Sequence, residues 1–164
     1  MPRSRLPNLG PNGEGWVVGQ LVLLLATAVL GALALPRAFD AHGLLRSVQI
    51  VAGAMLILLG GSLAILSVAE LGNSLEARPR PKADGHLVTT GLYAAIRHPI
   101  YAGLIDLAIG WAGVSGSLPA FSAALLLAIW LDLKSRREEA WLGERYPEYA
   151  AYRLRTSRFV PRIY

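Results

Sequence analysis

The chain has 164 residues, of which 54% are hydrophobic and only 16% are charged, whereas roughly 25% charge is usual for a soluble domain. This balance indicates an integral membrane protein. The absence of cysteine excludes disulfides, a thiol nucleophile and cysteine metal ligands, and three scattered histidines do not make a zinc site. The net charge of +5 does not indicate nucleic-acid binding, because the charged residues cluster at the ends of apolar runs. We therefore expect neither nucleic acid nor a metal ion as a partner.

Two long apolar runs occupy the first half of the chain. Residues 16–35 carry no charge and are long enough to cross a bilayer. A signal peptide is the alternative, because two arginines precede the run and A-L-A lies near its end. The run exceeds the ~7–15 apolar residues usual for a signal, so a membrane span is favoured. Residues 48–69 form the second predicted span, and Gly53, Gly60 and Gly61 within it predict close packing against another helix.

A polar segment, residues 70–97, separates the second span from the third. It contains R-P-R-P-K at residues 78–82, where two prolines exclude a regular helix and favour an extended run. A basic stretch beside a membrane usually binds lipid head groups. We favour that interpretation of residues 78–82 over a direct contact with a substrate.

The third and fourth predicted spans, residues 98–114 and 118–133, are joined by a connection without a single charge. They should form an antiparallel helical hairpin. The apolar part of the first arm is short, so residues around His98 must contribute to it. Asp106 lies inside this arm, and an ionisable group at that depth is a candidate functional residue. Pairing with another helix is the favoured alternative for Asp106.

Residues 85–103 read G-H-L-V-T-T-G-L-Y-A-A-I-R-H-P-I-Y-A-G and are rich in polar groups, although apolar runs flank them. Such groups next to a bilayer are costly unless they are paired or used. Pro99 disfavours α geometry at His98, so we predict that a helix or a turn begins there. The free N–H groups of a helix start suit a carboxylate or another electron-rich group.

The last part of the chain, residues 134–164, is charged and aromatic. Helical spacing places Lys134 and Glu138 on one face of a helix, with Glu139 on the neighbouring face. Pro147 should end this helix, and residues 148–155 should form a second, short one. With four spans, 14 basic residues fall on the side of the two termini and 2 on the other. The positive-inside rule then predicts that both termini are cytoplasmic.

The stretch L-V-T-T-G-L-Y-A-A-I-R-H-P-I-Y-A-G resembles the cofactor motif of a family of integral-membrane methyltransferases. That family includes isoprenylcysteine carboxyl methyltransferase and the phospholipid N-methyltransferases. A second stretch, R-R-E-E-A-W-L-G-E-R-Y-P-E-Y-A-A-Y-R-L-R-T-S-R-F-V-P, resembles the family's C-terminal block. The resemblance covers roughly residues 71–161. It implies an all-α integral membrane protein with a single domain, residues 1–164, and about four transmembrane helices. A cytoplasmic C-terminal helical segment within residues 134–161 would complete a pocket for S-adenosylmethionine.

The resemblance also implies site residues. Its cofactor-binding glutamate lies eight residues before an aromatic residue, which indicates Glu138, with Glu139 as the alternative. The family usually has an arginine near the acceptor four residues earlier, where this chain has Lys134, a point charge without a bidentate fork. Glu138 and Lys134 are the candidate catalytic residues, and Asn73, after Leu71 and Gly72, is a candidate for the substrate side. The implied cofactor contacts are Gly85, His86, Leu87, Val88, Tyr93, His98, Pro99, Ile100, Tyr101, Glu138 and Glu139.

The function implied is methyl transfer from S-adenosylmethionine to a lipophilic or membrane-associated acceptor at the cytoplasmic face, leaving S-adenosylhomocysteine. The sequence shows no convincing base, which favours an acceptor that needs none, a carboxylate already ionised near neutral pH or a thiolate. An isoprenylcysteine-like carboxylate is the favoured acceptor. The alternatives are a lipid N-methyltransferase, an NADPH-dependent reductase related to sterol reductases, and a catalytically silent membrane module. Individual residues also have structural alternatives: His98 can cap a helix, and Tyr93 and Tyr101 can lie at the membrane interface. We expect Trp141 and Tyr149 to serve in packing or as interfacial anchors.

Overall fold

The computed structural model describes residues 6–40, 43–82 and 84–164, and its regular elements are all helical. Two short 3₁₀ helices, Gly72–Ser74 and Gly91–Ala94, lie between the second and third α-helices. Within the described residues there is no β-strand, only a single parallel bridge between Ile96 and Ser157. The predicted all-α class is therefore confirmed. The α-helices are α1 (Glu14–Asp40), α2 (Leu44–Leu71), α3 (Pro99–Ser115), α4 (Leu118–Arg145) and α5 (Tyr149–Arg155).

All four predicted apolar runs form helices, but they differ in length. In the described part of the chain, three segments are long and apolar enough to cross a membrane, namely Glu14–Pro36, Leu44–Ser74 and Leu118–Arg145. The apolar helix α3 has only 17 residues, which gives it a length of about 25 Å against a hydrocarbon core of about 30 Å. Three helices thus meet the length of a membrane span, and α3 is the short member of the set.

Helix boundaries differ from the predicted ones where a charged stretch follows an apolar run. Helix α1 continues through Pro36 to Asp40, and α4 continues past residue 133 to Arg145. The reason is that bilayer thickness limits the apolar run, whereas the backbone hydrogen bonds of the helix continue into water. The predicted helix start is confirmed: His98 has non-helical φ and ψ of −128° and 58°, and Pro99 occupies the first turn of α3.

Helices α2 and α3 approach each other closely at two pairs of glycines. A Cβ atom built on Gly60 would lie 2.6 Å from the carbonyl oxygen of Gly103, and one built on Gly53 would lie 2.6 Å from that of Gly110. Both distances are shorter than any van der Waals contact, so only glycine permits this backbone approach. The tight packing predicted from Gly53 and Gly60 is confirmed, whereas a Cβ on Gly61 would meet only Leu107, at 3.8 Å.

Gly60→Ala is expected to lower the free energy of unfolding by about 1–3 kcal/mol, because the added methyl group forces α2 away from α3. Gly61→Ala is the matched control, since it adds the same methyl group one residue further along, where there is room. Thermal unfolding of both variants in detergent measures the difference. Equal unfolding temperatures would show that the glycine contact does not set the helix spacing.

Helix α3 lies at the centre of the bundle. It contacts α2 on one side and α1 and α4 on the other, while α1 and α2 share almost no contacts in the described part of the chain. The chain after α5 returns to the start of α3, where Arg97 N donates to Ser157 O at 2.8 Å and His98 N donates to Arg158 O at 3.1 Å. These bonds hold the C-terminal segment against the residues that precede α3.

Candidate functional site

A cavity lies at the end of the bundle where α2 ends and α3 begins. Its walls come from that end of α2, the first turn of α3, the last turns of α4, the polar segment between α2 and α3, and α5. Its volume is about 230 Å³, far above the roughly 10–15 Å³ that a single water needs by the same measure. The cavity can therefore hold an organic molecule.

The structure brings most of the predicted site residues to this cavity, although they come from two stretches far apart in sequence. Pro99 is buried in the first turn of α3, and neither Pro99 nor Glu139 lines the cavity. The predicted residues that line it are Gly85, His86, Leu87, Val88, Tyr93, His98, Ile100, Tyr101, Lys134 and Glu138.

Hydrogen bonds fasten residues 85–88 to the rest of the site. The Tyr146 hydroxyl donates to the carbonyl oxygen of Gly85 at 2.8 Å, which ties the end of α4 to the first motif. On the other side, His86 N donates to Ser74 Oγ at 3.2 Å, and this oxygen lies 3.0 Å from His86 Nδ1. The start of the loop is thus held from two sides, and residues 85–88 form part of the cavity wall.

Glu138 stands in the cavity with two partners from the start of α3. The Tyr101 hydroxyl donates to Glu138 Oε2 at 2.7 Å, and His98 Nδ1 lies 3.8 Å from the same oxygen. The His98 and Tyr101 rings stack with centroids 5.3 Å apart and planes 3° from parallel. The Glu138 side chain stays 22% exposed. A carboxylate with free capacity therefore faces the cavity, held by an aromatic pair.

Glu139 points to a different environment, because consecutive helical residues are rotated by about 100°. Its carboxylate accepts hydrogen bonds from Arg97 Nε at 2.9 Å and Arg158 Nε at 3.1 Å, and its side chain is only 5% exposed. His98 Nε2 lies 3.3 Å from Glu139 Oε1, without the angle of a hydrogen bond. Glu139 therefore neutralises two arginines, of which Arg97 also lines the cavity.

Lys134 is almost fully buried, with 1% of its surface exposed. Its ammonium donates to Gln20 Oε1 at 2.6 Å and to the carbonyl oxygen of Ala77 at 2.9 Å, and it lies 5.0 Å from the centre of the Tyr101 ring. Lys134 therefore joins α1, α4 and the polar segment at the cavity wall, and it places a positive charge there.

Sequence reasoning missed two parts of the wall. The basic segment, residues 75–82, contributes most of its residues to the cavity, including Glu76 and Arg78, which are ion-paired at 2.9 Å. The hydrogen bond from Arg78 lowers the pKa of Glu76, so this carboxyl is ionised at neutral pH. Gln20 is the other missed residue; a lone amide within the apolar run 16–35 was the signal that could have identified it.

Tyrosines form a large share of the wall. Tyr152 donates to the carbonyl oxygen of Tyr93 at 2.7 Å, and burial raises the pKa of Tyr152 to about 12. Burial likewise raises the pKa of Tyr93, so both phenols keep their protons. Tyr149, for which we expected a packing role, lines the cavity as well, whereas Trp141 does not and lies under the Arg137 guanidinium at 4.0 Å. Several aromatic faces are thus available to a cationic ligand.

Two further candidates lie away from the cavity. Asn73 is not part of the wall, and its carbonyl oxygen accepts a hydrogen bond from Lys82 Nζ at 3.2 Å. Asp106 lies on α3 beside Gly60 of α2 and is also absent from the wall. Among the residues that the structure describes, no group of three or more histidine, aspartate or glutamate side chains can hold a metal ion.

A bundle of apolar helices with a cavity of tyrosines, carboxylates and cations at one end defines an integral membrane protein with a site for a polar molecule. A family model described as phospholipid methyltransferase matches residues 48–149. The chain therefore belongs to the phospholipid methyltransferase family, which confirms the relationship predicted from its two motif blocks. The match runs from α2 to the first residue of α5 and contains most of the cavity wall.

Two bacterial relatives carry names that refer to metal resistance. The cobalt-zinc-cadmium resistance protein CzcN of Cupriavidus metallidurans is 36% identical over 84 residues, which is 50% of this chain and 38% of that protein. The nickel-cobalt-cadmium resistance protein NccN of Alcaligenes xylosoxydans xylosoxydans is 31% identical over 111 residues, 62% of this chain and 52% of that protein. The chain thus spans about half the length, or less, of the curated relatives that it matches.

The fold is similar to that of the eukaryotic intramembrane Ras methyltransferase ICMT, the isoprenylcysteine carboxyl methyltransferase. The TM-score is 0.61, and the superposition covers 94% of this chain and 55% of that protein. Sequence identity is 20%, so the likeness is one of fold. It extends over nearly the whole chain, including α1, which the family match does not reach.

Proposed function

We propose that this protein transfers a methyl group from S-adenosylmethionine to a lipophilic acceptor at the cytoplasmic face of a membrane. One observation carries the proposal. The two blocks that resemble the family's cofactor motif and C-terminal block line a single cavity, where Tyr101 of the first bonds to Glu138 of the second and Tyr146 of the second bonds to Gly85, two residues before the first. Such convergence of distant polar residues on one cavity is typical of a ligand site.

The chemistry of the wall fits this cofactor. S-adenosylmethionine would supply an electrophilic methyl group on a sulfonium, together with an amino-acid head and an adenosine. Glu138 would bind the ammonium or a ribose hydroxyl, and the face of Tyr93 would receive the sulfonium charge. One buried polar atom on a wall residue, the Tyr149 hydroxyl, has no hydrogen-bond partner and no paired carboxylate among the described residues. A buried polar atom without a partner at a cavity indicates that a ligand supplies the missing hydrogen bond.

Catalysis of this transfer consists mainly of positioning, because methyl transfer is an in-line displacement. The new bond forms from a lone pair of the acceptor while the bond from sulfur to the methyl carbon breaks. The stacked His98 and Tyr101 rings hold Glu138 in one orientation. Residues 85–88 and the basic segment close two further sides of the cavity. Together these groups fix the reactants and restrict water.

A lipophilic acceptor is supported by the apolar part of the cavity wall. Val68 and Leu71 of α2, together with Leu75, Leu87, Val88 and Ile100, line the cavity. These apolar side chains would contact the apolar part of a lipophilic acceptor. The buried Lys134 ammonium would attract a carboxylate acceptor, of which an isoprenylcysteine-like carboxylate is the favoured example.

An amine acceptor, such as a phospholipid head group, is the second candidate. An amine must lose its proton before it attacks, and Glu138, within 3.8 Å of His98 Nδ1 and open to the cavity, is placed to receive that proton. A methylation assay with a prenylated N-acetylcysteine and with phosphatidylethanolamine separates the two candidates. Methylation of the first alone supports the carboxylate, and methylation of the second alone supports the amine.

Wild-type protein in detergent is expected to bind S-adenosylmethionine and S-adenosylhomocysteine with micromolar affinity. His98→Ala should abolish this binding, because it removes the ring that stacks on Tyr101 at the cavity wall. Calorimetric titration of both proteins measures the affinities, with NADPH as the control ligand. Binding of NADPH in preference to the adenosyl compounds would overturn the proposal in favour of a reductase.

A further inference from the structure

The Tyr149 hydroxyl is a buried donor without a partner. Tyr149 is 1% exposed, it lines the cavity, and its hydroxyl oxygen has no hydrogen-bond partner among the described residues. Two other buried side-chain atoms among the described residues also lack a hydrogen-bond partner. Arg137 Nε lies away from the cavity, and His98 Nε2 has Glu139 Oε1 within 3.3 Å. The Tyr149 hydroxyl is therefore the wall group whose hydrogen bond is most clearly missing.

Packing alone does not account for this hydroxyl. The Tyr149 ring meets the Tyr152 ring edge-on at 5.8 Å, and a phenylalanine would make the same ring contact. A buried hydroxyl without a partner destabilises a fold, because the group has lost its hydrogen bonds to water. Burial also raises the pKa of Tyr149, so the phenol stays protonated and acts as a donor. A ligand that accepts a hydrogen bond from the hydroxyl would remove this destabilisation of the fold.

The charged residues on the same wall as Tyr149 indicate which ligand group it meets. Arg97 and Glu138 line the cavity together with Tyr149. A cation and a carboxylate on one wall suit a zwitterionic amino-acid head, whose ammonium pairs with Glu138 and whose carboxylate needs donors on the side of Arg97. The phenolic hydroxyl of Tyr149, on this wall, supplies such a donor.

We propose that the Tyr149 hydroxyl donates a hydrogen bond to the carboxylate of the amino-acid half of the bound methyl donor. This assignment rests on the proposed function and extends it by one binding residue. It gives the two ends of the zwitterion separate partners, Glu138 for the ammonium and Tyr149 with Arg97 for the carboxylate. The hydroxyl oxygen is covered in the structure, so the ligand reaches it after a small displacement of the wall.

Tyr149→Phe tests the assignment with two readouts that move in opposite directions. In the absence of ligand, the variant should unfold about 2–4 °C higher than the wild type, because the orphaned hydroxyl is gone. Its affinity for S-adenosylhomocysteine should nevertheless fall by about 10- to 100-fold. Its affinity for 5′-methylthioadenosine, which lacks the amino-acid half, should stay at the wild-type value. Calorimetry and thermal unfolding in the same detergent measure all three.

The matched control for stability is Tyr152→Phe. The Tyr152 hydroxyl has a partner, the carbonyl oxygen of Tyr93 at 2.7 Å, so its removal should lower the unfolding temperature. A loss of affinity for both ligands in Tyr149→Phe, or for neither, would overturn the assignment to the carboxylate. Absence of adenosyl binding by the wild type is a separate result, which would overturn the proposed function together with this inference.

Discussion

Glu138→Gln is expected to lower the affinity for S-adenosylhomocysteine by about 10- to 100-fold, which corresponds to the ~1.5–3 kcal/mol of a charge-assisted hydrogen bond. Glutamine has the same size and still accepts the hydrogen bond from Tyr101, so the cavity wall should keep its shape. What is lost is the negative charge that faces the cavity beside His98. Calorimetric titration in detergent measures the change.

The matched control for this substitution is Glu144→Gln, on the same helix. Glu144 is exposed and is not part of the cavity wall, so the same loss of charge should leave the affinity within about twofold of the wild type. Far-UV circular dichroism should show equal helix content in both variants. Equal affinities for Glu138→Gln and Glu144→Gln would contradict a role for Glu138 in binding the cofactor.

Glu139→Gln is expected to lower the free energy of unfolding by about 3–5 kcal/mol, the usual cost of removing one partner of a buried ion pair. The arginines that it neutralises have side chains only 8% and 13% exposed, for Arg97 and Arg158 respectively. Without the carboxylate, the buried Arg97 loses its ion-pair partner, and Arg158 keeps only Asp132 as an ion-pair partner, at 3.0 Å. Because Arg158 and the backbone of Ser157 hold the C-terminal segment against α3, that segment should detach first. Thermal unfolding in detergent and limited proteolysis of the C-terminus measure the two effects.

An exposed ion pair provides the comparison. Asp84 lies 3.6 Å from Lys82 and has a side chain that is 76% exposed, so Asp84→Asn should change stability by less than about 1 kcal/mol. A similar small change in Glu139→Gln would show that the buried network contributes little. The neighbouring glutamates are thus predicted to differ in kind, since Glu138 acts on the ligand and Glu139 acts on the fold.

Tertiary structure assigned these different positions to Glu138 and Glu139. Their spacing in the sequence left both as candidates for the cofactor, because two adjacent carboxylates resemble each other in any motif. What separates them is the direction of each side chain around α4 and the arrival of Arg158 from a segment 19 residues further on. An ion pair between distant segments depends on the path of the whole chain, which local patterns do not describe.

Other features of the site are non-local for the same reason. Lys134 was expected near the acceptor, but its bonds to Gln20 and to the carbonyl oxygen of Ala77 join segments that lie 114 and 57 residues away. The sequence favours lipid binding for residues 78–82, and the structure places all of them except Arg80 on the cavity wall. The two prolines of this segment predicted an extended conformation, but they did not predict that the extended segment would lie against the cavity.

Features that depend on local chemistry could be predicted from the sequence. Apolar runs of bilayer length predicted the long helices, Pro99 predicted the start of α3, and the glycines of α2 predicted a close helix contact. The two motif blocks predicted the family, which the match over residues 48–149 confirms. Tertiary structure alone decided which polar groups face the cavity and which remain without a partner, as Tyr149 does. The physical reason is that hydrogen bonds and ion pairs act only over a few ångströms, so their partners are defined only when distant segments have come together.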